Sequence, residues 1–124
     1  MNRLLAALSL AILLALPFAG CAPSSASLPP FTGASATVVA VGLQFQPTEV
    51  TLPAGQPLRL ILDNQDSGVP HNLKVFQGDT LIARSPNVSG IGQTEVRFGP
   101  LAAGTYQFSC EVHPSMLGSI KVGP

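Results

Sequence analysis

The chain has 124 residues, 46% of them hydrophobic, with six basic against six acidic side chains and no net charge. That length suits one domain with a sizeable core, and the neutral balance, without any basic run, excludes an electrostatic nucleic-acid binder. Twelve Gly and twelve Pro lie scattered between short apolar runs, a pattern of strands and turns, so the expected class is all-β.

Residues 1–20 read as an export signal. Arg3 gives a positive start, Leu4 to Leu16 is an apolar run too short to span a bilayer comfortably, and small residues then lead to Cys21. Phe18-Ala19-Gly20-Cys21 resembles a bacterial lipobox, with Phe18 where Leu is usual. That resemblance implies lipidation at Cys21, a membrane anchor, and a protein facing the periplasm or the extracellular side. Plain secretion and an uncleaved anchor are the alternatives. Residues 21–35, CAPSSASLPPFTGAS, have no periodic apolar face and read as a tether. With Cys21 lipidated, Cys110 has no disulfide partner within the chain, and its thiol needs another occupation.

From Ala36 to Pro124, strand patterns follow one another between turns. TVVAV (37–41) is β-branched and nearly continuous, as in a buried strand, and EVTL (49–52) precedes the turn PAGQP. In PLRLILDN, Leu58, Leu60 and Leu62 share one face, while Arg59 and Asp63 take the other. HNLKVF groups His71, Leu73 and Val75, with Asn72 and Lys74 opposite. Then come TLIA (80–83), TEVRF (94–98), GTYQFSC (104–110) and GSIKV (118–122). About eight short strands in some 90 residues read as a two-sheet antiparallel sandwich. Charged or proline-bearing edges suit a monomer.

The chemistry gathers at one end. Period two places Tyr106, Phe108 and Cys110 on one face, so Cys110 turns inward at the end of its strand. His71 turns inward at the start of another strand, where antiparallel packing brings such ends together. After Cys110 the spacing C-x2-H-x2-M lets His113 and Met116 converge on the same point, with Pro114 stiffening the loop. A lone Cys, His or Met is ordinarily core packing. Here every His, every Met after Met1, and every Cys not assigned to lipid falls into one proposed site. Two imidazoles, a thiolate and a thioether suit one copper, as a trigonal His2Cys site with a weak axial Met. Zinc accepts His2Cys but gains little from a thioether. Occupation of every position by side chains argues against an enzyme.

GVPHNL (68–73) and GTYQFSCEVHPSMLGSIKV (104–122) resemble the cupredoxins, the type 1 blue-copper electron carriers, across residues 36–124. The first block resembles plastocyanin and the short His-Pro-x-Met loop resembles amicyanin. FQPTEVTLPAGQPLRLILDN (45–64) is similar to the strands that open the family's fold. The resemblance implies a Greek-key β-sandwich in which His71, Cys110 and His113 are equatorial copper ligands and Met116 is axial. It further implies that Asn72 ties the two ligand segments together. His113 would be the exposed ligand, with electrons passing through an apolar patch of Val69, Pro70, Pro114 and Leu117 to redox protein donors and acceptors. Ser109 stands where plant plastocyanins carry a docking Tyr, and no acidic run is present, so a photosynthetic partner is not implied. A dinuclear copper site would need a second Cys in the loop. A Cu(I)-trafficking protein and a module that has lost its metal are the rival readings. The lack of any Met- or His-rich tract speaks against the first, and the intact ligand set against the second.

Overall fold

A computed structural model describes residues 30–124, and the expected signal segment and the expected lipidation at Cys21 lie outside the described residues. The described chain is strands and loops. In order they are β1 (Ala34–Val41), β2 (Gln44–Gln46), β3 (Glu49–Pro53), β4 (Leu58–Asn64), β5 (Pro70–His71), β6 (Lys74–Gln77), β7 (Thr80–Arg84), β8 (Val88–Ser89), β9 (Gly92–Phe98), β10 (Gly104–Ser109) and β11 (Leu117–Gly123).

Two sheets face each other, one in the order β2-β1-β4-β9 and the other β3-β11-β10-β6-β7. β5 and β8 pair as a separate short ribbon. The all-β sandwich is as expected, but it is mixed and not purely antiparallel. β1 runs parallel to β4, and β11 parallel to β3. The physical reason is the crossover between β1 and β4: β3, within it, joins the opposite sheet, and a connection of that length can return the chain in the parallel sense. Local periodicity carries no information on that choice.

Alternation built the core as the residue pattern implies. Leu58, Leu60 and Leu62 are wholly buried on β4, flanked in register by Phe98 and Val96 of β9 and by Ala36 and Val38 of β1. From the other sheet come Tyr106 and Phe108, Val75, Ile120 and Val122. Each fully buried aliphatic side chain contributes about 1.5–3 kcal/mol. Phe45 and Phe108 join the two layers with ring centroids 5.2 Å apart. Phe108 sits directly opposite Gly118, and its ring occupies the space a Cβ there would need. Only glycine lets β10 and β11 pair at that point.

The first strand starts slightly before the expected boundary at residue 36, because β1 begins at Ala34. The Ala34 amide donates to the Pro57 carbonyl, and the Phe31 ring lies beneath the guanidinium groups of Arg59 and Arg97, 4.8 and 5.4 Å from its centroid. These cation–π contacts extend the folded unit into the segment whose composition reads as a tether. TVVAV is also less buried than its continuity suggests. Val38 and Ala40 face the core, whereas Thr37 is exposed.

HNLKVF is not one strand. His71 ends β5, Asn72 and Leu73 form a break, and Lys74 starts β6 in a different sheet. All of His71, Asn72, Leu73 and Val75 are buried, so the expected outward face for Asn72 is corrected. A residue in a break between strands does not obey period two. The Leu73 amide instead donates to Ser85 Oγ, and the Ser85 amide to the Leu73 carbonyl.

Candidate metal centre

The centre lies at the pole where β10 ends and β11 begins. Phe108 points into the core, so strand alternation carries Cys110, two residues on, toward the same side. Cys110 is buried and makes no disulfide among the described residues. The loop that follows closes on itself. The Met116 amide donates to the His113 carbonyl at 2.9 Å, and the Cys110 amide to the Met116 carbonyl at 3.1 Å. Two backbone bonds within seven residues thus define the arc carrying Cys110, His113 and Met116.

His71 enters from β5. Its Nδ1 lies 3.7 Å from Cys110 Sγ, and His113 Nδ1 lies 3.8 Å from the same sulfur. The donor atoms of His71, Cys110 and His113 all fall within 4.8 Å of one another, a triangle that seats one ion at ordinary metal–ligand distances of about 2.0–2.3 Å. The two imidazole rings tilt at 54° with centroids 4.8 Å apart. His71, Cys110 and Met116 are buried, while His113 is half-buried. The four side chains named from the sequence are therefore gathered at one pole. Two imidazoles, a thiol and a buried thioether are the donor set of a type 1 copper site, and the residues present fit that metal.

Asn72 is buried next to His71 and reaches across to the ligand loop. Its Oδ1 accepts the Glu111 amide at 2.8 Å, and its Nδ2 donates to Glu111 Oε2 at 3.3 Å. Arg84 holds the same carboxylate from outside, at 2.9 and 3.1 Å. The residue after one ligand is thus bonded to the residue after another.

Several residues of the pole escaped sequence reasoning. Asn64, wholly buried at the end of β4, donates to the Val69 and Val88 carbonyls and accepts the Asp66 amide. It thereby shapes the loop leading to His71. The Asn-x-Asp pattern at 64–66 was the available signal, since an Asn side chain bonding the amide two residues on is a common turn device. Asp66 is 12% exposed and its Oδ2 lies 2.9 Å from His71 Nε2. The Leu43 amide holds the Asp66 carboxyl below its ordinary pKa against the opposing effect of burial, with smaller help from His71 and the Gly42 amide. Nothing local to residue 66 forecasts these partners.

Of the expected apolar patch, Pro114 and Leu117 are exposed, while Val69 and Pro70 are half-buried. Val112 in the ligand loop, Leu43 and Ile91 add exposed apolar surface that periodicity does not single out.

Comparison with known proteins gives one domain family. The family described as "Cupredoxin-like domain" matches residues 10–122. Auracyanin A, a "blue" copper protein from the green thermophilic photosynthetic bacterium Chloroflexus aurantiacus, is 27% identical with a TM-score of 0.64, over 73% of this chain and 99% of its own. Auracyanin B is 25% identical with a TM-score of 0.67, over 80% and 96% of the two chains. A reduced Cu(I) form of an amicyanin variant shares the fold at 20% identity, with a TM-score of 0.56 over 74% and 85%. Curated protein sequences give no match.

Proposed function

The chain belongs to the cupredoxin family, and on that footing we propose that it carries single electrons between redox protein partners at the outer face of a bacterial membrane, without catalysing a reaction itself. The observation that carries this reading is the burial of His71, Cys110 and Met116 beside a half-buried His113. When bound, copper supplies a Cu(II)/Cu(I) couple. His71, Cys110, His113 and Met116 would hold it. The bonded loop and the Asn72–Glu111 tie hold these donors in one arrangement, so little of the protein has to move when charge changes. Burial of the other donors leaves the His113 edge as the way in and out. Exposed Leu117, Val112 and Leu43 offer apolar surface for brief docking.

Adding Cu(II) to the purified protein tests this reading. An intense thiolate-to-copper absorption band with reversible voltammetry is expected. A colourless protein that binds only Cu(I) would replace electron transfer with copper trafficking.

Export and anchoring rest on the first 21 residues. Lipidated Cys21 would hold the domain at the membrane, where stable anchoring takes more than one acyl chain. Cys21→Ala is expected to release the protein from the membrane fraction. Retention would remove the lipid from the proposal.

A further inference from the structure

Asp66 belongs to none of the roles assigned above, yet it touches more of the pole than any other carboxylate. Its Oδ2 meets His71 Nε2 at 2.9 Å and accepts the Leu43 amide at 3.0 Å, while Oδ1 accepts the Gly42 amide at 2.6 Å. Gly42 and Leu43 form the turn between β1 and β2, both with left-handed backbone, φ 62° and 58°. That conformation is natural for Gly42 and strained for Leu43. Two charge-assisted bonds to one carboxylate are the compensation visible there. Leu43 in turn lines a cavity together with Met116 and Leu117.

We propose that Asp66 is the positioning residue of the metal centre: its carboxylate takes the Nε2 hydrogen of His71, leaves Nδ1 as the free donor facing Cys110, and biases the centre toward Cu(II). The chemistry of the pair supports this. An ionised carboxylate only accepts, so Nε2 must carry the hydrogen. A neutral imidazole then has its lone pair on Nδ1, the atom 3.7 Å from Cys110 Sγ. The tautomer needed at the site is thereby selected before any metal arrives. A carboxylate bonded to a ligating imidazole also raises ligand basicity, and its negative charge favours the more positive oxidation state. The same group fastens the β1–β2 turn to His71, so ring orientation and the wall beside Met116 share one anchor.

The charge bias rests on the copper reading, whereas the tautomer does not, and the experiment separates them. In the metal-free full chain, nitrogen-15 NMR of the imidazoles should show His71 protonated at Nε2, with that hydrogen slow to exchange. In Asp66→Ala the slow exchange should vanish. His71 protonated at Nδ1 in the parent protein, or slow exchange unchanged in Asp66→Ala, would overturn the assignment whatever metal the protein binds. In the copper-loaded protein, Asp66→Asn keeps an acceptor and loses the charge. It should shift the ratio of Cu(II) to Cu(I) affinity about tenfold toward Cu(I), a rise of ~59 mV in reduction potential. An unchanged or lowered potential would overturn the charge bias. A parent protein that forms no coloured Cu(II) centre would fail the electron-transfer reading alone, with the imidazole spectra still deciding the role of Asp66.

Discussion

The metal centre has two arms built in opposite ways. The loop from Cys110 to Met116 brings three donors from seven consecutive residues and closes with its own backbone bonds. His71 arrives alone from β5 and is oriented by groups outside the loop's own backbone: Asp66, the Asn64-shaped segment and the β1–β2 turn, with Asn72 beside it tied to Glu111. The difference teaches that a short ligand loop can be nearly self-sufficient, whereas a single ligand needs a scaffold of buried polar groups. Of the five buried polar side chains among the described residues, Asn64, His71 and Asn72 serve this second arm. Each is bonded, as burial of a polar group requires.

Cys110→Ser breaks the loop arm outright and should have the largest effect. The hydroxyl supplies no thiolate, so the intense visible band should disappear completely while the fold, read by far-UV circular dichroism, persists. Survival of the band would remove Cys110 from the centre.

Asn72→Ala cuts the tie between the arms. It removes the hydrogen bond to the Glu111 amide, which contributes about 0.5–1.5 kcal/mol. A domain of this size should then melt lower by roughly 4–8 °C per kcal/mol. A melting temperature within a degree of the parent would mean that the arms are independent.

Met116→Leu tests the far end of the loop arm. Volume is nearly conserved, so the stability loss should stay below about 1.5 kcal/mol. Copper should remain, and the reduction potential should rise because a weak donor to Cu(II) is lost. An unchanged potential in voltammetry would take Met116 out of the site.

The smallest effect is expected of Arg84→Ala. Arg84 and Glu111 are both about half exposed, at 52% and 46%. An exposed pair of this kind contributes about 0–1 kcal/mol, so chemical denaturation should move little. A larger loss would mean that the Asn72–Glu111 tie depends on the outer ion pair.

How much was legible follows the same division. C-x2-H-x2-M sits in one continuous stretch, so its convergence could be read from spacing. The apolar face of PLRLILDN could be read from period two, because both faces of β4 obey one rule along its length. His71 was legible as an inward residue at the pole, but its strand was not, since the chain breaks at Asn72 and Leu73 and β5 pairs with β8. Asp66 was invisible because its partners Gly42 and Leu43 lie 24 and 23 residues away.

By itself, then, the sequence determined the all-β class, the inward alternation that buries Phe108 and Cys110, and the scarce donors that converge at one end. Those features depend on neighbours within a few residues, where backbone geometry leaves little choice. Only the tertiary structure decided that β1 runs parallel to β4, that Gly118 admits the Phe108 ring, and that Asp66 joins a strained turn to His71. Each of these depends on which distant segments share a surface, and packing of the whole chain settles that.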